Sequence, residues 1–242
     1  YKRQGEPPRA ALDALLVGLE DEDARVRRTA LTVLLEHAFI HADALRPDLA
    51  RIAAVLADEE LEVRSAAAAC LGRFGPEILP VVQPYLEAEA PRTRAAAVLA
   101  LQAIDRPSPD VLRRIEAASE DASLEVRLSV AMYVAAKGGD VAAVLPLARE
   151  GLASDGRMER QYALGIVWMG GAEVAEAAPW IEPLLDADEA ETRVLAAAAL
   201  RRLGRETERS RRVLAEALED PDHAGHGLAE NLVRQLEAEG EE

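Results

Sequence analysis

Residues 58–71 read DEELEVRSAAAACL and residues 121–134 read DASLEVRLSVAMYV, and the two stretches share one pattern. Each begins with an aspartate, reaches a Val-Arg pair five and six residues later, and continues with small and apolar residues. Outward from these stretches the arginine recurs at intervals of 37, 30, 33, 33 and 33 residues, at Arg27, Arg64, Arg94, Arg127, Arg160 and Arg193. A period of this length indicates a chain that is built from structural repeats.

The residues after each arginine follow a helical register. We number positions from the residue that precedes the arginine, which is position 0. A small or branched residue stands at +4: Ala30, Ala67, Ala97, Val130, Ala163 and Ala196. An apolar residue stands at +8: Leu34, Leu71, Leu101, Val134, Val167 and Leu200. Positions 0, +4, +7 and +8 fall on one face of a helix, so the pattern predicts an amphipathic helix with these positions in the core.

A second amphipathic stretch precedes each of these helices. In four repeats it opens with a proline (Pro8, Pro47, Pro76 and Pro109), which the first turn of a helix tolerates. The chain contains 49 Ala and 33 Leu against 8 aromatic residues, a composition typical of helices rather than strands. The sequence therefore predicts an all-α solenoid of about seven antiparallel helix pairs.

The charge balance and the hydropathy exclude several classes of protein. The 44 acidic and 28 basic residues give a net charge of −16, which disfavours nucleic acid as a partner. No uncharged apolar run approaches the roughly 20 residues of a membrane span, and no signal segment opens the chain. The single cysteine, Cys70, cannot form an internal disulfide. We expect a soluble, acidic, cytoplasmic protein that binds neither nucleic acid nor membranes.

Helix pairs of this length with an acidic turn and a Val-Arg start resemble HEAT repeats, in particular the bacterial HEAT-like kind that also occurs in bilin lyases. The resemblance implies a right-handed superhelix and a ladder of Asp–Arg pairs between neighbouring repeats, in which the arginines are structural. The aspartates that it assigns to the ladder lie five or six residues before the arginines: Asp21, Asp58, Asp121, Asp155 and Asp188. Their partners are drawn from the six arginines above, and the third repeat has Glu89 in place of an aspartate.

The resemblance covers nearly the whole chain, and no linker is long enough to divide it. We therefore expect one repeat domain over residues 1–242. Its seven repeats are approximately 8–40, 44–74, 76–105, 109–138, 140–171, 173–204 and 206–238.

The inventory of reactive side chains is poor. His37 and His41 are one helical turn apart, and His223 and His226 lie near two aspartates, but both pairs are typical of helix ends. Cys70 is at position +7, beside the apolar Leu71, where a thiol is inert. No nucleotide-binding or nucleophile-elbow motif occurs, and the His-Glu dipeptides of dimetal HEAT-like hydroxylases are absent from the sequence. We predict no catalytic residue, no metal site and no cofactor.

The outward face of the second helices is the more informative feature. If the core positions are correct, positions +2, +6 and +9 face away from it and line the concave surface. From the second repeat to the fifth these positions carry no charge, in a chain that is 30% charged. We predict a partner-binding surface at Leu99, Leu128, Met132, Tyr162, Trp168 and Val194, with Leu195 at its flank. Tight superhelical curvature would instead bury these residues against neighbouring helices.

Two functions from different classes remain open. The first is a non-catalytic protein–protein interaction scaffold that holds a peptide or helix of a partner protein in an apolar concave groove. The alternative is a bilin lyase-like protein whose groove binds a chromophore, although the groove positions offer no cluster of His or Cys. DNA binding, as in HEAT-like glycosylases, ranks last because the predicted groove is neutral to acidic. The oligomeric state and the partner stay open.

Overall fold

The structure is a computed structural model that describes residues 9–240, without the side chains of residues 39–41, 239 and 240. Pro8 and the side chain of His41, which the sequence analysis singled out, lie outside the described residues. Helices joined by short turns make up residues 9–240, and no strand occurs among them. The predicted α-solenoid of helix pairs is therefore confirmed. No helix in this range is both long enough and apolar enough to cross a bilayer.

The described helices group into two compact units, which meet in sequence between Val126 and Arg127. The prediction of one repeat domain over the whole chain stays a prediction. In the N-terminal unit, short 3-10 turns extend several of the helices, as at Val55–Ala57 and Gly75–Ile78. Its α-helices are α1 (Arg9–Gly18), α2 (Ala24–Leu45), α3 (Leu49–Ala54), α4 (Leu61–Gly72), α5 (Leu79–Leu86), α6 (Pro91–Gln102) and α7 (Pro109–Ala117).

The C-terminal unit continues the alternation of first and second helices. Helix α8 begins at Leu124, just before the boundary. The first helix of the sixth repeat is broken, because Pro179 and Pro183 lack the N–H groups that a continuous α-helix needs. Only four residues there are α-helical, between 3-10 turns at Gly171–Ala177 and Glu182–Asp186. The helices are α8 (Leu124–Ala136), α9 (Val141–Leu152), α10 (Arg157–Gly170), α11 (Ala178–Ile181), α12 (Ala190–Arg202), α13 (Glu208–Glu219) and α14 (His226–Gly240).

Side-chain caps fix where several helices begin. Asp23 accepts a hydrogen bond from the N–H of Arg25 at the start of α2, and Asp140 accepts two at the start of α9. Thr207 and Ser210 form a reciprocal capping box at α13. Each cap satisfies N–H groups that have no acceptor within the helix.

The second helices form the core of each unit. Helix α4 packs between α2 and α6, and α12 packs between α10 and α14, while each also contacts the first helix of its own repeat. Position +4 is buried in all six repeats, as predicted. Position +5, which the predicted core omits, is equally buried because neighbours cover the helix on more than one side. Its residues are Leu31, Ala68, Val98, Ala131, Leu164 and Ala197.

Small residues allow adjacent repeats to approach closely. Gly72 is the last residue of α4 and is buried. A Cβ atom at this position would lie 2.4 Å from the Cβ of Ala103 and 2.8 Å from its carbonyl carbon. The end of α4 therefore contacts backbone of the next repeat at a distance that only glycine permits.

We predict opposite effects of alanine at two helical glycines. Gly72→Ala should lower the free energy of unfolding by about 1–3 kcal/mol, because backbone atoms of Ala103 must move. Gly227→Ala, near the start of α14, has no atom within 4 Å of the added Cβ and should be neutral or stabilising by up to about 1 kcal/mol. Urea denaturation followed by circular dichroism measures both changes. A Gly72→Ala variant as stable as Gly227→Ala would contradict the close approach.

Candidate functional site

The guanidinium of Arg27 joins two turns of the N-terminal unit. Its Nη1 donates to the carbonyl oxygens of Asp21 (2.8 Å) and Glu22 (3.0 Å), in the turn before its own helix. Its Nε and Nη2 donate to the two carboxylate oxygens of Asp58, at 2.6 and 2.9 Å, in the turn of the next repeat. One planar group thus caps its own turn and binds the following turn with a bidentate ion pair.

Arg94 repeats this geometry in the same unit. Its Nη1 donates to the carbonyl oxygens of Ala88 and Glu89, both at 2.8 Å. Its Nε and Nη2 donate to both carboxylate oxygens of Asp121, again at 2.8 Å. Each of these two side chains is only 16% exposed, so the pair is well shielded from water.

The ion pair stabilises the charged form of Asp58. Burial disfavours the carboxylate, but hydrogen bonds from Arg27 and from the N–H of Glu60 outweigh it, and the pKa of Asp58 is lowered. The folded state therefore gains stability from Asp58 above the pKa of the unfolded chain. This contribution is lost as the pH falls through the lower pKa of the folded state.

The number of residues between the acidic residue and the arginine decides which carboxylate forms the ion pair between repeats. Aspartates six residues before the arginine accept the N–H two residues later and so fold into the turn: Asp21, Asp58 and Asp121. Asp155 and Asp188 stand five residues before the arginine. No described ion pair of the predicted ladder involves their carboxylates. Asp188 offers Arg193 its carbonyl oxygen (2.8 Å), and no described ion pair or hydrogen bond reaches the exposed carboxylate of Asp155.

Arg64, Arg160 and Arg193 keep the cap, and the second contact varies among the remaining arginines. Arg160 caps the carbonyl of Ser154 and binds both carboxylate oxygens of Glu189, at 2.9 and 3.0 Å. Arg127 contacts Glu150 at 3.3 Å. The hydrogen bonds described for Arg64 and Arg193 go to carbonyl oxygens of their own turns.

Three of the predicted partner-binding residues are buried. Leu128 and Val194 are 0% exposed and Trp168 is 8% exposed, so their predicted outward placement is wrong. The methyl groups of Leu128 and Val194 pack against glycines of neighbouring elements, because a Cβ at Gly151 would lie 2.7 Å from Leu128 Cδ1 and one at Gly225 would lie 2.8 Å from Val194 Cγ2. The guanidinium of Arg202 covers the Trp168 ring, 4.7 Å from its centroid.

We call the members of positions +3, +6 and +10 that solvent reaches the exposed stripe of the second helices; Ala96 and Ser129 at +3 and Ala198 at +6 are buried and lie outside it. Leu99, Met132 and Tyr162 are half-buried on this stripe. Leu128, Trp168 and Val194 at +2 and +9 turn toward neighbouring elements and are covered, whereas Arg28 and Arg201 at the same positions are exposed. Small residues such as Gly151 leave room for the covered side chains. They are a signal in the sequence that the helical wheel of a single helix does not take into account.

The C-terminal unit contains an apolar face on this stripe. Tyr162, Gly165 and Met169 stand three and four residues apart on α10 and therefore share one side of the helix. Met132 of α8 contacts this side, since a Cβ at Gly165 would lie 3.0 Å from its sulfur. Met169 is 44% exposed, and Leu195 occupies position +3 of α12. We call Met132, Tyr162, Gly165 and Met169 the methionine face; none of its members is charged.

The side chains considered for chemistry have local roles. The Nδ1 of His226 lies 2.9 Å from the carbonyl oxygen of Ala217, and His223 accepts the N–H of Gly225. Cys70 is fully buried, and burial raises the pKa of its thiol to about 12. Among the side chains that the structure describes, no group of three or more His, Cys, Asp or Glu is arranged to hold a metal ion.

Residues 49–135 match the family model of HEAT repeats. No curated protein sequence matches this chain. Similar solved structures include a designed armadillo repeat protein (18% identity, TM-score 0.39, over 79% of this chain and 99% of that one). Human deoxyhypusine hydroxylase in complex with glycerol is 20% identical over 95% of this chain and 97% of that one (TM-score 0.44). A chain from a structure of Kap95p and RanGDP is 17% identical over 93% of this chain (TM-score 0.49), which spans 36% of that one.

We predict that Asp58→Asn destabilises the protein and that Asp155→Asn does not. Asp58→Asn removes the negative charge that binds Arg27 through two hydrogen bonds. This loss should lower the free energy of unfolding by about 1–3 kcal/mol at pH 7. The exposed Asp155 should change it by less than about 0.5 kcal/mol. Chemical denaturation at several pH values tests the cause, because the deficit of Asp58→Asn should shrink below pH ~4 as the parent carboxylate protonates. Equal effects of the two substitutions would refute the register argument.

We predict that Leu128→Glu unfolds the C-terminal unit, because the substitution places a charge where no solvent reaches. The loss should exceed about 4 kcal/mol. Leu218→Glu on α13, where the parent leucine is 36% exposed, is the control and should cost less than about 1 kcal/mol. Thermal unfolding separates the two variants. If Leu128→Glu had the same melting temperature as the control, Leu128 would face outward, as the sequence analysis predicted.

Proposed function

We propose that this chain, which is a HEAT repeat protein, is a non-catalytic scaffold that binds a peptide or helix of a partner protein on the exposed stripe of its second helices. The observation that carries the proposal is the methionine face of the C-terminal unit. It presents Tyr162 and two methionines without a charged member, in a chain whose net charge is −16. An uncharged apolar patch on so charged a protein favours a binding surface.

The composition of the methionine face favours a helical or extended protein ligand. Methionine has three rotatable bonds and a polarizable sulfur, so Met132 and Met169 can adapt to apolar side chains of different shapes. Gly165 lets the sulfur of Met132 approach α10 closely, since a Cβ at Gly165 would lie 3.0 Å from it. Tyr162 adds a large ring that loses little conformational entropy on binding.

The N-terminal unit offers a smaller surface of the same kind. Leu99 is half-buried on α6, and positions +3 and +6 of α4 are alanines. We propose Leu99 as a contact for the same class of ligand, independent of the methionine face. Leu128, Trp168 and Val194 are buried and are not proposed as contacts.

Two observations favour a scaffold over an enzyme. The thiol of Cys70 is buried with a pKa raised to about 12, so it is a poor nucleophile at neutral pH. His223 and His226 bind backbone groups that end one helix and begin another. No described residue favours the bilin lyase-like alternative, because the methionine face has no His or Cys to hold a chromophore. If the protein is co-expressed with bilin and the purified protein shows bilin absorbance, that observation would favour the bilin lyase-like alternative.

We predict that Met169→Glu removes partner binding and preserves the fold. The parent side chain is 44% exposed, so the free energy of unfolding should change by less than about 0.5 kcal/mol. A charge facing an apolar ligand should weaken the complex by at least about tenfold. For the measurement, a photo-crosslinking amino acid replaces Tyr162. Crosslinked adducts formed in an extract of the source cells are compared for the chain with and without Met169→Glu.

Leu218 supplies the matched control, because it is an exposed apolar residue on a different element, α13. A crosslinker at Leu218 should give no discrete adduct, and Leu218→Glu should leave the Tyr162 adduct unchanged. Adducts of the same size at both positions, or an adduct that survives Met169→Glu, would contradict the proposed surface.

A further inference from the structure

Basic residues concentrate in one segment of the C-terminal unit. Residues 201–212 read RRLGRETERSRR and contain six of the 28 basic residues of the chain but only two of its 44 acidic residues. The segment ends α12, forms the turn that follows it and begins α13. Its six arginines and two glutamates give a net charge of +4, against −16 for the whole chain. This part of the surface is therefore opposite in sign to the protein as a whole.

The carboxylate of Glu206 lies between two of these arginines. One of its oxygens is 4.0 Å from Nε of Arg201, and the other is 3.5 Å from Nη1 of Arg211. Both distances exceed the roughly 2.7–2.9 Å of a strong charge-assisted hydrogen bond. Glu206 therefore binds neither guanidinium closely, and its single negative charge faces two positive charges.

Arg205 adds a third guanidinium at the same turn. Gly204 adopts a φ of +67°, and the N–H of Arg205 donates to the carbonyl oxygen of Leu200 at 2.9 Å. This Schellman-type turn holds the backbone of Arg205 against the end of α12. Among the described residues, no carboxylate forms an ion pair with its exposed side chain. We call Arg201, Arg205 and Arg211 the arginine cluster.

The electrostatics of the helix ends accounts for only part of this arrangement. Arg201 lies in the last turn of α12, where a cation is favourable. Arg209 and Arg211 are the second and fourth residues of α13, where the positive end of the helix dipole disfavours a cation. Asp186 pairs with Arg209, whereas Arg211 shares Glu206 with Arg201. An anion bound at the arginine cluster would therefore compensate a charge that its own helix disfavours.

Arg202 connects the arginine cluster with the methionine face. Arg202 and Met169 occupy position +10 of α12 and α10, two helices that pack against each other. The guanidinium of Arg202 lies 4.7 Å from the ring centroid of Trp168, and its Nε would lie 3.7 Å from a Cβ at Gly171. The side chain therefore contacts the end of α10 that carries Met169, and it is adjacent in sequence to Arg201.

We propose that the arginine cluster binds acidic side chains of the same protein ligand whose apolar side chains contact the methionine face. The inference rests on the proposed function and adds the chemistry of the partner, which is a peptide or helix with apolar residues beside a short run of Asp or Glu. Carboxylates suit the cluster because the planar guanidinium binds them through two parallel hydrogen bonds. The long row of phosphates in a nucleic acid would instead also face the acidic remainder of a chain of net charge −16.

Selection from a random peptide library tests this chemistry without knowledge of the partner. The library is displayed on phage and selected on the full chain, and the affinity of each enriched peptide is measured by fluorescence anisotropy. A protein of net charge −16 attracts basic peptides nonspecifically, so enrichment of acidic peptides would indicate a specific site. We expect the enriched peptides to combine apolar residues with a run of Asp or Glu.

A double substitution in the full chain locates the acidic part of the ligand. Arg205→Gln with Arg211→Gln should weaken the acidic peptides at least about tenfold, because charged hydrogen bonds are lost. It should not weaken peptides in which Asn and Gln replace Asp and Glu. Arg92→Gln with Arg114→Gln removes two exposed arginines of the N-terminal unit and is the matched control, with no expected effect. Circular dichroism checks that both double variants fold.

Met169→Gln separates this inference from the proposed function, because it adds no charge that could repel an acidic peptide. It should weaken the acidic peptides and their Asn and Gln versions by the same factor. Peptides that depend on Met169 but lack acidic residues, or that bind the Arg205→Gln and Arg211→Gln protein unchanged, would overturn this inference and leave the proposed function intact. Acidic peptides that bind independently of Met169 would overturn the shared site, and the absence of any peptide that depends on Met169 would contradict both proposals. A fluorescein-labelled DNA duplex that binds more tightly than the peptides would also overturn the inference.

Discussion

The planar guanidinium of the repeated arginine is the constraint on which the stacking of repeats depends. Its Nη1 is held by carbonyl oxygens of its own turn, which fixes the orientation of the whole group. Because the guanidinium is rigid, Nε and Nη2 then point in one direction, and the next turn must place its carboxylate there. Arg27 and Arg94 meet this requirement with all four contacts. The cap is also present in Arg64 and Arg193, where the forward bond is not described, so capping is the more constant of the two roles.

The period of this arginine made the fold predictable. A residue that caps the turn before its own helix recurs once per repeat, and its spacing gives the number of helix pairs. The sequence also predicted position +4, where alanine is buried in five repeats and Val130 in the sixth. What it missed was local. Pro179 and Pro183 break a first helix, and a one-residue shift of the acidic residue separates the paired Asp58 from the unpaired Asp155.

The candidate surface was only half predictable, for a geometric reason. A helical wheel with one core direction suits a helix at the edge of a protein, but α4 and α12 pack against three neighbours. Position +5 and, in several repeats, position +2 then turn toward adjacent helices, and only a narrow stripe remains exposed. The alanines at +5 in three of the six repeats and the glycines at 151 and 225 carry this information, because small residues at such places indicate close neighbours. Leu99, Met132 and Tyr162 remain half-buried, although Ala96 and Ser129 at +3 and Ala198 at +6 are covered.

The first repeat differs from the others by its surroundings rather than by its own residues. Val26 and Asp21 have the same register and nearly the same local geometry as Val63 and Asp58, yet Val63 is buried and Asp58 binds a guanidinium. A repeat protein therefore carries, at its outermost described turn, the same apolar and acidic groups that join its interior repeats. The burial of Val63 and the ion pair of Asp58 therefore depend on a neighbouring helix pair rather than on the local sequence of the repeat.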